Sequence, residues 1–249
     1  MAESQNQKQL KPVGGIHAVA EVLASGVPID KMVLEKGPKN PRIRELVTLA
    51  REMGIRIQEV PFIKGGNLNH QGIMLYLSAV EFQPLDQIVM SRFEEGVDPF
   101  ILILDQVNDV RNFGAICRTA HIAGVNAVVI PEKGSAAIGA DAMKTSSGAL
   151  SHIPVCREKD LLKTIKLLKE SGISVMALTE KGNNNIFETD LTGPVAILAG
   201  SEESGIAPEL LRLADVLCYI PEYGKIQSLN VSVATGVALY ESIRQKLFS

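Results

Sequence analysis

The stretch "SLNVSVATG", Ser228–Gly236, decides how the last part of the chain folds. Its first six residues alternate polar and apolar, the period of a half-buried strand. The next residues, "ATGVALYESIRQKL", keep a helical spacing, with Val233, Val237 and Tyr240 on one face. A strand, a helix and a polar pocket wall at the start of a helix all fit the pattern. Ser228 and Asn230, set among apolar residues, are what a strand core does not explain.

Outward from that stretch, 249 residues are enough for a sizeable core and two domains. A hydrophobic content of 46% against 21% charged is that of a soluble globular chain. No apolar run reaches the ~18 residues of a membrane span. The polar start "MAESQNQKQLKPVGG" lacks the apolar core of a secretion signal. Cys117, Cys156 and Cys218 are far apart and odd in number, which predicts reduced thiols in a cytoplasmic protein. His17, His70, His121 and His152 stand singly, so no metal site is expected.

Residues 1–70 carry ten Lys/Arg against seven Asp/Glu, and the remainder fifteen against twenty-one. A basic first part on an acidic larger part fits an anionic partner for the former, and equally a solvated surface. Aromatic residues make up 4% with no tryptophan, too few for base stacking to be the main mode of RNA binding.

"GGIHAVAEVLASG" has helical spacing at Ile16, Val19, Ala20 and Leu23, and "KMVLEK" is a short strand. "PRIRELVTLAREMG" is a helix with Pro41 near its first turn and Gly54 past its end. "IRIQEV" and "GIMLYLSAV" are strands that close a small α/β unit near Val80. Residues 81–97 have little β character and several charges, and are expected to be a linker that can carry a helical turn. After Asp98, "FILILDQV" is a continuous apolar run, as for a strand buried on both faces of a parallel sheet. Helix "NFGAICRTAHIAG", strand "NAVVIP", a helix ending near "SSGAL", strand "IPVC" and helix "KDLLKTIKLLKESG" come next. Strands "SVMALT" and "VAILAG", helix "APELLRLA", strand "VLCYIP" and a last helix complete the chain. The alternation predicts an α/β fold, a mostly parallel sheet with helices on both faces.

In such sheets ligands gather at the carboxyl ends of strands, and three loops there have unusual compositions. "DQVNDVRNFGAICRTA" carries Asn108, Asp109, Arg111 and Asn112, of which Asn112 has the chemistry of a helix N-cap. Arg118 stands on the mostly apolar helix beyond, as a functional cation, a surface arginine or half of a buried ion pair. "LAGSEESGIAPELL" runs into Gly200, Glu202, Glu203 and Gly205. Its glycines let a ligand approach the backbone, or it is a plain turn with acidic residues at a helix start. "CYIPEYGKIQSLNVSVATG" leads through Gly224 and Lys225 into the opening stretch. Neither "GGNLNHQG" nor the Gly200 loop reads G-x-G-x-x-G after a strand, which counts against a dinucleotide-dependent oxidoreductase.

In this order and spacing the three loops resemble the three motifs of the SpoU-type branch of the SPOUT RNA methyltransferases. The loop with Asn112 and Arg118 is similar to the first motif, Gly200-Ser201-Glu202 to the second, and "IPEYGKIQSLNVSVATG" to the third nearly throughout. "GIHAVAEVL" and "HQGI" resemble the ribosomal-protein-L30e-like substrate-binding domain of bacterial 23S rRNA guanosine 2′-O-methyltransferases. The resemblance implies methyl transfer from S-adenosylmethionine to a ribose 2′-hydroxyl of a guanosine in the peptidyl-transferase loop. Related members act on a tRNA D-loop guanosine, or on an adenosine in the thiostrepton-binding region. A catalytically silent RNA-binding protein on the same scaffold is the other alternative.

The resemblance further implies an L30e-like domain over 1–80, a linker over 81–97 and a catalytic domain over 98–249 with a C-terminal trefoil knot. It implies a homodimer formed through the catalytic domain, and neither DNA nor a membrane as partner. The cofactor would lie bent in the knot against Thr179, Gly200, Ile220 and Leu229. Asn112, Ser228 and Asn230 would orient Arg118 and the ribose, and Glu202 would pair with Arg118 or with a main-chain donor. In the family the arginine matching Arg118 has been proposed as the base. An arginine side chain loses its proton only above ~12, and bringing that near neutrality costs roughly 7 kcal/mol. A cation that fixes the adjacent phosphate and stabilises the developing oxyanion fits better. Lys36, Lys39, Arg42 and Arg44 would contact RNA phosphate. Lys144 would do the same or serve a helix end. "SLNVSVATG" then becomes a loop entering the last helix, with Ser228 and Asn230 toward the ribose and Val231 turning into the core.

Overall fold

Alternation along "IDKMVLE" organises the first part of the molecule. The computed structural model describes residues 12–37, 40–64, 68–224 and 228–248, in two units. The first runs to Glu81 and takes in Ala137–Ala140. Its elements are β1 (Val13–Gly14), α1 (Ile16–Ser25), β2 (Ile29–Glu35), α2 (Pro41–Glu52), β3 (Ile57–Val60) and β4 (Ile73–Leu77). The sheet order is β1-β4-β2-β3, with β2 antiparallel to β4 and parallel to β3. Met32 and Leu34 point to the core formed with Val19, Leu23, Ile43, Leu46 and Ala50. Val33, between them, joins Ile63 and Met74 on the other side, as the two-residue period of a strand requires. Asn40 caps α2 by accepting from Arg42 N at 2.9 Å, and Pro41 fills the first helical position.

The second unit holds α3 (Leu85–Glu94), β5 (Phe100–Asp105), α4 (Val110–Ile122), β6 (Ala127–Pro131), α5 (Ala140–Thr145, in this unit from Asp141 on) and β7 (Val155–Glu158). It continues with α6 (Leu161–Glu170), β8 (Ser174–Leu178), β9 (Asn184–Asn185), β10 (Val195–Gly200), α7 (Pro208–Leu211), β11 (Val216–Tyr219) and α8 (Val231–Phe248). The sheet order is β7-β6-β5-β10-β8-β11-β9, and every pairing within it is parallel. β5 is buried along its whole length, as its unbroken apolar run predicts. The stretch expected to be a linker carries α3. Its Leu85 and Val89 are buried in the core with Ile88 packed beside them, a helical spacing that the charges between them obscure in the sequence.

Ile101, Ile103, Val129, Val175, Ala177 and Leu198 face a core completed by α3, α6 and α7. Each of the larger aliphatic side chains contributes about 2 kcal/mol through burial. Helix α8 packs on β10 and β8, and α4 packs on α8. Polar ties hold α8 in place. Ser242 Oγ donates to Leu191 O at 3.0 Å, and Gln245 Nε2 donates to Thr189 O at 2.8 Å. Gln245 Oε1 accepts from Leu191 N at 2.7 Å. The buried Glu241 carboxylate receives two hydrogen bonds from Arg244, at 2.7 and 2.9 Å. No helix among the described residues is long and apolar enough to cross a membrane.

Strand register levels the carboxyl edge of this sheet. Gly200 pairs with Asp105, Ala199 with Leu178, and Leu178 with Cys218. The carboxyl ends of β5, β10, β8 and β11 therefore lie level and side by side. From β5 the chain runs outward through β6 and β7, while β8 to β11 lie on the other side. That reversal point is where open α/β sheets bind ligands.

Candidate functional site

Beyond β10 the chain folds back at once, with Ser201 bridged to Gly205 and Gly205 N donating to Ser201 O at 2.9 Å. A Cβ on Gly200 would lie 2.2 Å from the Gly205 carbonyl carbon, so only glycine permits this turn. Asp105, at the end of β5, accepts from Ala207 N at 2.8 Å and anchors the far side of the loop. Burial raises the pKa of its carboxyl against the opposing pull of that N–H.

The tight loop presents Glu202 to three N–H donors. Glu202 Oε1 accepts from Asn112 Nδ2 at 3.0 Å, from Val231 N at 3.2 Å and from Asn230 Nδ2. Asn230 Nδ2 also donates to Asn112 Oδ1 at 3.0 Å. Asn230 Oδ1 caps α8 by accepting from Ser232 N at 2.9 Å. Ser228–Asn230 are thus a loop and the helix begins at the buried Val231, the outcome expected for the opening stretch. Asn112 is not the N-cap of α4. Asp109 takes that place, accepting from Arg111 N at 2.7 Å and Asn112 N at 3.2 Å. The helix starts earlier, and the Asn112 amide is left to reach Glu202.

Thr179, Gly200, Ile220 and Leu229 all line one cleft of about 430 Å³, together with Ser228 and Glu202. Leu178, Ala199, Ile206, Ile220, Leu229 and Val231 give it apolar walls. Its rim is acidic, with Glu180, Glu202, Glu203 and Glu222 against Lys181. Thr179 N donates to Cys218 O at 2.8 Å and its Oγ1 accepts from Lys181 N at 3.3 Å, which ties the ends of β8 and β11 together.

Arg118 is exposed on α4 and lies outside the cleft lining. The expected pairing of Arg118 with Glu202 does not form; Oε1 of that carboxylate takes three N–H donors from Asn112, Asn230 and Val231. The main-chain donor expected as its alternative is Val231 N. Lys36, Arg42 and Arg44 are exposed in the first unit, and Arg42 is ion-paired to Glu45. Lys39 lies outside the described residues. Lys144 is exposed in the last turn of α5. Sequence reasoning missed three features. Thr235 lines the cleft with its hydroxyl buried and without a partner. Glu180 and Glu222 complete the acidic rim. Phe62, 68% exposed, stands edge-on to the His70 ring at 6.3 Å. Glu222 and Thr235 fall within the stretch that resembles the third motif, but nothing in its spacing singles them out, and Glu180 and Phe62 lie outside the three loops.

Residues 99–240 match the model of the SpoU rRNA Methylase family. Residues 12–83 match the model described as RNA 2′-O ribose methyltransferase substrate binding. The chain is 35% identical over 245 residues to a 23S rRNA (guanosine-2′-O-)-methyltransferase of Xanthomonas axonopodis pv. citri (strain 306), covering 96% of this chain and 98% of that one. A crystal structure of the SpoU methyltransferase AviRb from Streptomyces viridochromogenes, in complex with the cofactor AdoMet, is similar with a TM-score of 0.61 and 21% identity. That match covers 96% of this chain and 91% of AviRb; at such identity it bears on the fold alone. A TrmH/SpoU tRNA modifying enzyme of A. aeolicus is similar with a TM-score of 0.55 and 31% identity, over 61% of this chain and 76% of that one.

Proposed function

We propose that this chain, which belongs to the SpoU rRNA methylase family and is an S-adenosylmethionine-dependent RNA 2′-O-methyltransferase, acts on a guanosine ribose in the peptidyl-transferase loop of 23S rRNA. The observation that carries the reading is the cleft beside the Glu202 clamp. Its apolar walls suit an adenine. Among the described residues lining the cleft, four glutamates against one lysine attract the sulfonium and ammonium charges of S-adenosylmethionine and repel the phosphates of a dinucleotide. The cofactor supplies an electrophilic methyl group.

The chain's residues supply placement. Asn112, Glu202 and Asn230 bond one another and act as positioning residues, fixing the start of α8 against the end of β10. Ser228, at the cleft, makes no hydrogen bond among the described residues and is available to the ribose. Displacement at a methyl needs the attacking oxygen held in line. Arg118 supplies the cation that binds the adjacent phosphate and stabilises the developing oxyanion. It works from the exposed face of α4, which it shares with Ile122 one turn on.

The finer architecture accords with the same reading. The first unit is L30e-like and binds rRNA, with Lys36, Arg42, Arg44 and Lys39 on its phosphates and Lys144 contributing from the catalytic domain. The domains run over 1–80 and 98–249, and the C-terminal segment forms a trefoil knot that bends the cofactor over Thr179, Gly200, Ile220 and Leu229. The enzyme is a cytoplasmic homodimer joined through the catalytic domain. Support for the dimer comes from α8, where Val233, Tyr240 and Leu247 leave an apolar stripe exposed at helical spacing. The 31% identity to the A. aeolicus enzyme favours tRNA as the second substrate reading. Ribose-methylation mapping of total RNA with and without the protein separates the two. A lost mark in 23S rRNA is expected, and a lost mark on tRNA with rRNA unchanged would overturn the assignment.

A further inference from the structure

We infer that the Thr235 hydroxyl is a hydrogen-bond donor to the adenine of the bound cofactor, an inference that rests on reading the cleft as the S-adenosylmethionine site. Thr235 is fully buried on α8 and its Oγ1 has no partner. A helical threonine ordinarily bonds its hydroxyl to the carbonyl four residues back. Thr48, Thr119, Thr145 and Thr164 all do so, to Arg44, Ala115, Asp141 and Asp160, at 3.1, 3.1, 2.8 and 3.1 Å. Thr235 does not take up Val231 O in this way. Its hydroxyl has no partner on its own helix, and Thr235 lines the cleft together with Leu178, Ala199, Ile220 and Leu229.

A buried hydroxyl left unpaired destabilises the fold, so a group that persists in this state calls for an acceptor that the protein itself does not supply. The apolar walls match the faces of a purine, and a ring nitrogen at its edge is an acceptor of the right kind. Thr235 thereby distinguishes an adenine from an apolar group of the same size, since the latter leaves the hydroxyl unmet.

The test compares Thr235→Val, which keeps the shape and removes the hydroxyl, with Thr235→Ser, which keeps the hydroxyl. Calorimetric titration with S-adenosylmethionine and thermal melting of the ligand-free full chain are the two measurements. Expected are about tenfold weaker binding for the valine variant, near wild-type binding for the serine variant, and a ligand-free Tm for the valine variant equal to or above wild type. Equal affinity for valine and wild type would overturn the inference. So would weaker binding accompanied by a Tm lower by several degrees, which marks a packing defect. No binding by the wild-type chain would instead overturn the reading of the cleft.

Discussion

Glu202 Oε1 accepts a hydrogen bond from Asn112 Nδ2 at 3.0 Å, joining the start of α4 to the turn after β10 across ninety residues of sequence. The same oxygen receives Asn230 and Val231 N–H groups, so one carboxylate sets the relative position of three loops. Glu202→Ala removes all three bonds. Its kcat for methyl transfer to an rRNA fragment should fall roughly 10–100-fold, with KM for RNA changed far less, since the phosphate contacts proposed above do not include Glu202. An unchanged kcat would remove the clamp from the mechanism.

Gly200→Ala tests the fold-back turn. The new methyl meets the backbone of Gly205 and Ile206 at 2.2–2.4 Å, atoms that cannot swing aside as a side chain would. A loss of about 2–3 kcal/mol in denaturant melts is expected, together with loss of cofactor binding in calorimetry. Retention of wild-type affinity would show that the turn can open without harm to the cleft.

Acid should loosen α8. Hydrogen bonds from Arg244 hold the Glu241 carboxyl below its ordinary pKa, with burial opposing them. A depressed carboxyl pKa means that the folded state binds the proton less readily than the unfolded one. Its stabilisation is therefore complete above the unfolded value and is lost as pH falls through the folded one. Thermal melts should show stability falling below about pH 4.3. Glu241→Gln should lose about 1 kcal/mol at pH 7, a figure that allows for the half-exposed Arg244, and should be less sensitive to acid than wild type.

RNA binding through the first unit predicts an asymmetry between two cations. Lys36→Ala should weaken rRNA-fragment binding at low salt and lower the slope of log K against log salt by about 1. Arg42→Ala should do less, because its guanidinium is already engaged by Glu45. Filter binding across a salt series reads both, and identical slopes for Lys36→Ala and wild type would take this surface out of the RNA footprint.

Legibility in the sequence tracked the physical range of the interaction. The unbroken apolar runs of β5 and β10 announce strands buried on both faces, and they are buried. The four residues expected at the cofactor all line the cleft: Thr179, Gly200 and Ile220 lie at or just beyond the ends of strands that are in register, and Leu229 lies just before α8, which packs on β10 and β8. What depended on local backbone geometry was not visible. Asp109 and Asn112 both have cap chemistry, and which of them caps α4 depends on the backbone path out of β5, where Gln106 holds a positive φ of 56° and Asp109 takes the extended cap conformation. Helix α3 was hidden because Leu85, Ile88 and Val89 supply only one turn of apolar spacing amid charges. The orphan hydroxyl of Thr235 is a matter of rotamer, which composition and periodicity do not encode.

The position of β10 between β5 and β8 gives the protein a timetable. Both neighbours leave the ribosome before β10 does, so the centre of the sheet is filled late, by insertion between strands already made. Non-local pairing of this kind is slow and leaves strand edges open meanwhile. The cleft waits longer still, since Leu229 to Thr235 come after every strand of the sheet and α8 must then fasten to Thr189 and Leu191. A stalled or nicked chain lacking those residues lacks that side of the cleft, so the cleft is complete only in chains that have been read through α8.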